Sequence, residues 1–376
     1  MAAEDARRLD EASADFAVAL LREAAVAGEN AFLSPASVSV ALAMVYAGAD
    51  GQTAQQMSQT LFGGVPADVV HECYKAFVTE LQKTPKGYKL STANRVYSQE
   101  NYALLPEYLK RLTLHYKSEH QLVDFARNQE VAEAINTWVE AQTNNKIRDL
   151  IDPAILGALT RLVLVNAVYF KGDWAHKFDA ERTSKAPFHV APGKDVQVDM
   201  MSQTDKFLYM EDSQVQVLGM PYASSDLALF AFLPREKFGL EAFERQLTGK
   251  ALLRYLSMAR KTEVEVHFPK FKLEQSFDLK TALTKLGMGD AFSESLADFS
   301  KMTGNKDLYV SAVVHKAFVE VNEEGAEAAA ATGVVMMAMC LHIPTTFRAD
   351  HPFAFAIVDG AAAEPRLLFL GRHNGL

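Results

Sequence analysis

Eighteen residues near the C-terminus constrain this chain more than any other part: Glu323-Glu324-Gly325-Ala326-Glu327-Ala328-Ala329-Ala330-Ala331-Thr332-Gly333-Val334-Val335-Met336-Met337-Ala338-Met339-Cys340. The alanine run alone says helix, because alanine has the best helix propensity. Its surroundings say otherwise. A strand-like run, Ser311 to Val321, leads into it, Gly325 punctuates it, and a β-prone Val-Val-Met-Met run continues it. No formal charge occurs from Ala328 to Phe347. A membrane span needs about 20 mostly apolar residues. Here Thr332, Gly333, His342, Pro344, Thr345 and Thr346 interrupt the run, and its apolar heart, Val334 to Leu341, is too short to cross a bilayer. A segment that is small, uncharged and suited to both helix and strand has to be explained by what flanks it.

The first third of the chain reads as helical. Phe16, Leu20 and Leu21 fall at helical spacing within Ala12 to Ala25. Ser34-Pro35-Ala36 has a capping serine followed by proline in the first turn, and the apolar run that follows continues towards Gly48. Gln52 to Leu61, Val69 to Leu81 and Val131 to Thr143 read as further helices. After Thr160 the character changes. Leu162 to Phe170 is rich in β-branched and aromatic residues, as a buried strand is. Further strands are expected over Val196 to Met201, Val215 to Pro221, Leu227 to Leu233, Glu263 to Phe268, Ser311 to Val321, Phe353 to Val358 and Leu367 to Leu370, with a helix over Phe277 to Leu286. In the fourth of these strands Val264, Val266 and Phe268 alternate with Glu263, Glu265 and His267, the period of a half-buried strand. Helices early and strands late predict an α+β architecture. No linker, repeat or like-charge block divides residues 1–376, so a single domain is expected.

Composition narrows the function. The formal net charge is −9, with basic and acidic residues interspersed. Phosphate binding wants clustered Lys and Arg, so no nucleic-acid partner is expected. The two cysteines, Cys73 and Cys340, are too few for a disulfide framework and lack metal-ligand spacing. There is no G-x-S-x-G elbow, Walker loop, H-E-x-x-H or complete G-x-G-x-x-G. The ten histidines are scattered, and most read as surface or satisfied core residues. No catalytic residue, metal or cofactor is assigned.

With those classes set aside, Glu-Glu-Gly-Ala-Glu-Ala-Ala-Ala-Ala-Thr at 323–332 resembles the reactive-centre-loop hinge of inhibitory serpins. The likeness extends along the chain in order. It includes Phe32-Leu33-Ser34-Pro35, Tyr46-Ala47-Gly48-Ala49, and Asn166-Ala167-Val168-Tyr169-Phe170-Lys171-Gly172-Asp173-Trp174. It continues through His315-Lys316-Ala317, Asp350-His351-Pro352-Phe353 and Phe369-Leu370-Gly371-Arg372. Asn322 to Thr332 is similar to the intracellular ovalbumin-like members. The resemblance implies helices packed around a large central sheet and two smaller ones, with residues 323–347 forming hinge and exposed loop. It implies a suicide-substrate inhibitor of serine proteases, a case of loop insertion into a sheet that is known in outline.

The resemblance also assigns residues. The hinge is Glu323, Gly325, Ala326, Glu327, Ala328, Ala329, Ala330, Ala331 and Thr332. Strand parity sends Ala326, Ala328, Ala330 and Thr332 inward and leaves Glu327, the charged member, outward with Ala329, Ala331 and Gly333. Fourteen residues beyond Gly325, the reactive bond falls between Met339 and Cys340, with Met337, Ala338 and Cys340 as alternative bait positions. An apolar Met suits elastase-like or chymotrypsin-like pockets. Ser34, Ser37, Asn166 and His315 correspond to a shutter that latches the sheet, and Trp174 to the breach at its top. Each of these five also has a plain structural reading as a cap, a surface serine or a core residue. Ala326 departs from the Thr or Ser often found there. A non-inhibitory carrier or chaperone and an inhibitor of papain-like cysteine proteases are the alternatives. A monomer is expected, with no heparin dependence, since Lys75, Lys83, Lys86 and Lys89 are mixed with Glu72 and Glu80. The cytoplasm is the expected location, given the absence of Asn-x-Ser/Thr acceptors and of a leader-like start; a secreted protein that has lost its leader is the alternative.

Overall fold

A computed structural model describes residues 2–81, 87–324, 344–360 and 365–375 of the 376-residue chain. The described helices are α1 (Ala2–Ala24), α2 (Pro35–Tyr46), α3 (Gly51–Phe62), α4 (Ala67–Leu81), α5 (Pro106–Arg111), α6 (Asn128–Gln142), α7 (Leu240–Gln246), α8 (Gly249–Met258), α9 (Lys280–Leu283) and α10 (Ser300–Thr303). The described strands are β1 (Ala31–Leu33), β2 (Tyr88–Gln99), β3 (His120–Val123), β4 (Leu162–Gly172), β5 (Ser184–Ala191), β6 (Lys194–Glu211) and β7 (Val215–Pro221). They continue with β8 (Ala228–Pro234), β9 (Arg260–Pro269), β10 (Phe271–Asp278), β11 (Val310–Val321), β12 (Thr345–Arg348), β13 (Phe353–Asp359) and β14 (Arg366–His373).

Local chemistry sets many of these boundaries. Ser34 caps α2 by accepting from the Ser37 N–H, and Pro35 starts the helix where no donor is needed. Gly63 ends α3 at φ 58°, a left-handed position that suits glycine. β4 is buried on both faces except at Lys171, so its sequence is a continuous apolar run rather than an alternating one. β9 alternates as its sequence predicts, with Val264, Val266 and Phe268 fully buried.

Among the described residues the strands form two sheets. One runs β1-β14-β13-β8-β7-β6-β9-β12, with β5 paired to β6. The other has five strands in the order β10-β11-β4-β2-β3. It is a mixed sheet, in which β3 runs parallel to β2 and the central pair is parallel too. β4 and β11 lie side by side and run parallel, from Leu162 opposite Val310 to Phe170 opposite Val319. Even-numbered residues of β4 join the main apolar cluster with α2. Val163, Val165, Ala167 and Tyr169 pack on the other face with Val131, Ile135 and Val139 of α6.

Two expectations need correction. The helix expected over Phe277 to Leu286 begins only at Lys280, because Phe277 and Asp278 still belong to β10. Phe277 sits opposite His315 in the ladder and stacks on its ring at 6.3 Å, so tertiary pairing overrides local preference. The strand expected over Val196 to Met201 extends over Lys194–Glu211, because different stretches of β6 pair with β5, β7 and β9. β2 was not anticipated at all. Its sequence, Tyr-Lys-Leu-Ser-Thr-Ala-Asn-Arg-Val-Tyr-Ser-Gln, has no clean apolar period, yet it pairs with β4 along its length.

Candidate functional site: the boundary between β4 and β11

Register brings three polar side chains into one row. His315 of β11 lies opposite Asn166 of β4, and Asn166 lies opposite Asn94 of β2. Residues opposite one another share a face, and here that face meets the first turn of α2. The hydrogen bonds then run in one direction. The Ser34 N–H donates to His315 Nε2 at 3.0 Å. A backbone N–H can only donate, so Nε2 accepts and the ring proton sits on Nδ1. His315 Nδ1 donates to Asn166 Oδ1. Asn166 Nδ2 donates to Ser37 Oγ at 2.6 Å and to Asn94 Oδ1. Ser37 Oγ donates to Asn94 Oδ1 at 3.2 Å. Ser34 Oγ donates to the Leu368 carbonyl at 2.8 Å, tying the cluster to β14.

All four predicted shutter residues are buried, and the structure brings them into one network. Burial holds the His315 imidazole down at about 3, so it is neutral and keeps a single tautomer. Asn94 is the member that sequence reasoning missed. Its signal was its place in a strand opposite Asn166, and an unrecognised strand hides its own register partners.

The top of the boundary is closed separately. Trp174 is buried, donates from Nε1 to the Asn322 carbonyl at 2.8 Å, and stacks on Tyr222 at 4.7 Å. Asn322 follows the last residue of β11, so the indole grips the point where the chain leaves the sheet. Next to it Glu323 is held by Lys270 at 2.7 Å and by the Thr183 hydroxyl at 2.8 Å, while its carbonyl accepts from the Phe178 N–H. Burial alone would raise the Glu323 carboxyl, but these donors leave it below the ordinary range. Thus Trp174 holds Asn322, and Lys270 and Thr183 hold Glu323, at the chain's exit from β11.

Gly325, Ala326, Glu327, Ala328, Ala329, Ala330, Ala331 and Thr332 of the hinge lie outside the described residues, as do Met337, Ala338, Met339 and Cys340. Lys83 and Lys86 lie outside them too. Cys73 on α4 is a free thiol. His373 is an exception among the histidines, buried against Phe188, Phe271 and Phe353 with neither ring nitrogen bonded. Among the described residues no helix is long and apolar enough to cross a membrane, and no cluster of three or more His, Cys, Asp or Glu offers a metal site.

Comparison with known proteins agrees with this geometry. Residues 11–375 match the family model described as Serpin (serine protease inhibitor). The chain is 42% identical to Serpin B6 of Pongo abelii, over 97% of this chain and 99% of that one. It is 43% identical to the leukocyte elastase inhibitor of Bos taurus, over 97% and 98%. Among solved structures, uncleaved ovalbumin superposes with a TM-score of 0.88 at 32% identity, covering 98% of this chain and all of the other. The parallel pair β4 and β11, the polar network across it, and a match over nearly the whole length lead to one assignment: this chain belongs to the serpin family, a family of protease inhibitors and not of enzymes.

Proposed function

We propose that this protein is a suicide-substrate inhibitor of serine proteases with apolar primary specificity, elastase-like or chymotrypsin-like. The observation that carries this reading is the parallel seam between β4 and β11, with the chain leaving β11 at Val321 directly into the hinge. A segment that turns back beside β11 would run antiparallel to both β11 and β4. One parallel pair would become two antiparallel pairs, which are the more stable per residue. A new central strand gains on the order of ten backbone hydrogen bonds at about 1 kcal/mol each. The uncleaved form is then held by a kinetic barrier rather than by being the most stable state.

In this reading Met339 supplies the bait carbonyl. The protease serine attacks it, the Met339–Cys340 bond breaks, and the new amine leaves with the C-terminal segment. The freed hinge enters the seam with Ala326, Ala328, Ala330 and Thr332 inward, carrying the acylated protease with it. A displacement of about 1 Å in a catalytic group can cost on the order of a hundredfold in rate, so a distorted protease does not deacylate. Ser34, Ser37, Asn166 and His315, with Asn94, keep the seam shut beforehand, and Trp174 and Glu323 hold its upper end. The elastase inhibitors among the relatives support the apolar preference.

We take residues 1–376 as one domain with the loop at 323–347, supported by a main buried cluster that runs from Leu9 to Leu370 and shares β4 with the smaller cluster under α6. The protein is read as a monomer working without heparin, because Lys75 on α4 pairs with Glu72 at 3.2 Å instead of joining a basic track. A cytoplasmic location is supported by the absence of glycosylation acceptors and by the free thiol.

The test is to mix the protein with an elastase or a chymotrypsin. An SDS-resistant complex is expected, with release of a peptide whose mass corresponds to Cys340–Leu376. Cleavage at that bond without a complex would make the chain a substrate or carrier. A complex formed only with papain-like enzymes would move its target to the cysteine class.

A further inference from the structure

Among the described residues β12 (Thr345–Arg348) ends the larger sheet, with a ladder partner on one side, β9, to which it runs parallel. A four-residue strand with one neighbour makes few backbone hydrogen bonds, so cross-strand side-chain contacts weigh heavily in keeping it seated. Phe347 is fully buried and holds one face. On the other face Arg348 lies opposite His267 of β9. Arg348 Nη2 stands 3.1 Å from His267 Nε2, and the same ring nitrogen stands 3.2 Å from Oε1 of Glu265, two residues back on β9.

One nitrogen cannot serve both neighbours in one state. A guanidinium can only donate, so the bond to Arg348 requires a bare Nε2 with the ring proton on Nδ1. An ionised carboxylate can only accept, so the bond to Glu265 requires a proton on Nε2. A doubly protonated ring can serve Glu265 but not Arg348, and it sets two cations face to face.

The surroundings leave the choice to these two groups. His267 is mostly buried, and Glu265 is part-exposed. On the other side of β9, β6 places uncharged Ser202 opposite His267, with its hydroxyl donating to the Arg182 carbonyl. Farther along β6, Asp205 pairs with His176 at 2.7 Å, and Lys206 lies opposite Glu263. Burial and the Arg348 charge lower His267 below its ordinary 6.5, while Glu265 acts to raise it. Arg348 acts on the ring only while β12 is seated. Once the strand lifts, the ring takes a proton more readily, so by linkage a proton on the ring favours the lifted strand. The stabilisation of the seated form is fully present above the ordinary value and is lost as pH falls through it towards the lower value of the seated ring.

We propose that His267 is a proton-operated clip: bare at Nε2, it accepts from Arg348 and seats β12 on β9; protonated there, it donates to Glu265 and releases the strand. Thr345 stands five residues after Cys340. Under the inhibitory reading, acid would thus loosen the downstream tether of the bait, but the clip itself does not rest on that reading.

The test is amide hydrogen exchange of the free, uncleaved chain at pH 7.5 and pH 5, each rate divided by that of an unstructured peptide at the same pH. Protection over Thr345 to Ala349, which includes the Ala349 N–H bonded to the His267 carbonyl, should fall about fivefold between the two. Leu229 to Leu233 of β8 is the internal reference and should hold level. His267→Gln offers Arg348 a neutral acceptor at both pH values, so its protection should not fall. Glu265→Gln removes the carboxylate that favours the protonated ring, so the fall should move to lower pH, a shift that a merely structural role would not produce. Level protection in the parent, an equal fall in His267→Gln, an equal fall in β8, or an unmoved transition in Glu265→Gln would each overturn the proposal. Failure of the inhibitory reading would show separately, as cleavage without an SDS-resistant complex.

Discussion

His315 on β11 donates its Nδ1 proton to the side-chain oxygen of Asn166 on β4, bridging the parallel seam. The same ring accepts from the Ser34 backbone through its other nitrogen. One imidazole thereby joins two strands and the start of a helix, and the Ser34 contact demands that it be neutral. A second ring proton would face the Ser34 N–H, donor against donor. Any strand entering the seam has to part His315 from Asn166 first.

This gives a pH dependence with a definite sign. His315 is held at about 3 in the fold against 6.5 when exposed. Below pH 6.5 the unfolded chain takes a proton that the folded chain refuses, so stability falls as pH drops from 6.5 towards 3 and is fully present above 6.5. The loss from this residue between pH 7 and pH 5 is about 2 kcal/mol. His71 and His120 are held at about 4 and His373 at about 3, also by burial, and act in the same direction. Melting temperatures measured at both pH values should therefore fall less steeply in His315→Gln than in the parent. An unchanged difference would show that the ring is not a proton-excluding latch.

Asn94 should matter as much as the residues found from sequence. Asn94→Ala leaves one of the two Asn166 amide protons and the Ser37 hydroxyl without an acceptor, at a cost of about 1–3 kcal/mol. Ser91→Ala on the same strand removes an exposed contact with Asn144 and should cost under about 0.5 kcal/mol. Denaturant midpoints of the uncleaved proteins compare the two.

The hinge alternation predicts a pair of opposite outcomes. Ala328→Asp places a carboxylate on the inward set, where burial without a partner costs several kcal/mol. It should lose the SDS-resistant complex and be cleaved as a substrate. Ala329→Asp adds the same charge on the outward set and should still form the complex. Equal behaviour of the two in a titration against the protease would contradict insertion in this register.

At the top of the seam, Lys270→Ala should leave the Glu323 carboxylate with the Thr183 hydroxyl but no cation. A loss of about 1–2 kcal/mol is expected, modest because Lys270 is part-exposed. The double variant Lys270→Ala with Glu323→Gln should recover part of it, since no charge is then left unpaired. Thermal unfolding of the three variants reads the coupling.

Gly172 is the last residue of β4, and a methyl group there would lie 2.5 Å from the Tyr222 ring. Gly172→Ala should therefore push Tyr222 off Trp174, at about 1–3 kcal/mol for overpacking. In a Trp138→Phe background, where Trp174 is the sole indole, its emission should shift to longer wavelength. An unshifted spectrum would mean that the stack tolerates the methyl.

Much of this was written in short-range chemistry. Ser34 and Pro35 announce a helix start by what a cap and a first turn require. The run Leu162 to Phe170 announces a strand buried on both faces by being apolar at every position. The run from Gly325 to Thr332 stands out by small side chains with Glu327 as its one charge, the pattern that resembles a serpin hinge. β2 stayed hidden because Lys89, Thr92, Asn94 and Arg95 mix with apolar residues at no fixed period. Phe277 was misread because its partner, His315, is 38 positions away.

The chain alone thus determined its family, its helix caps, its apolar strands and a run of small, mostly uncharged side chains after β11, since these depend on side-chain size, charge and local period. The tertiary structure decided that β4 and β11 run parallel and that His315, Asn166 and Asn94 form one row. It also decided that Ser34 points its N–H at an imidazole 281 residues away. Register and strand neighbourhood arise from pairing between distant stretches, and no local pattern encodes which polar residues will meet.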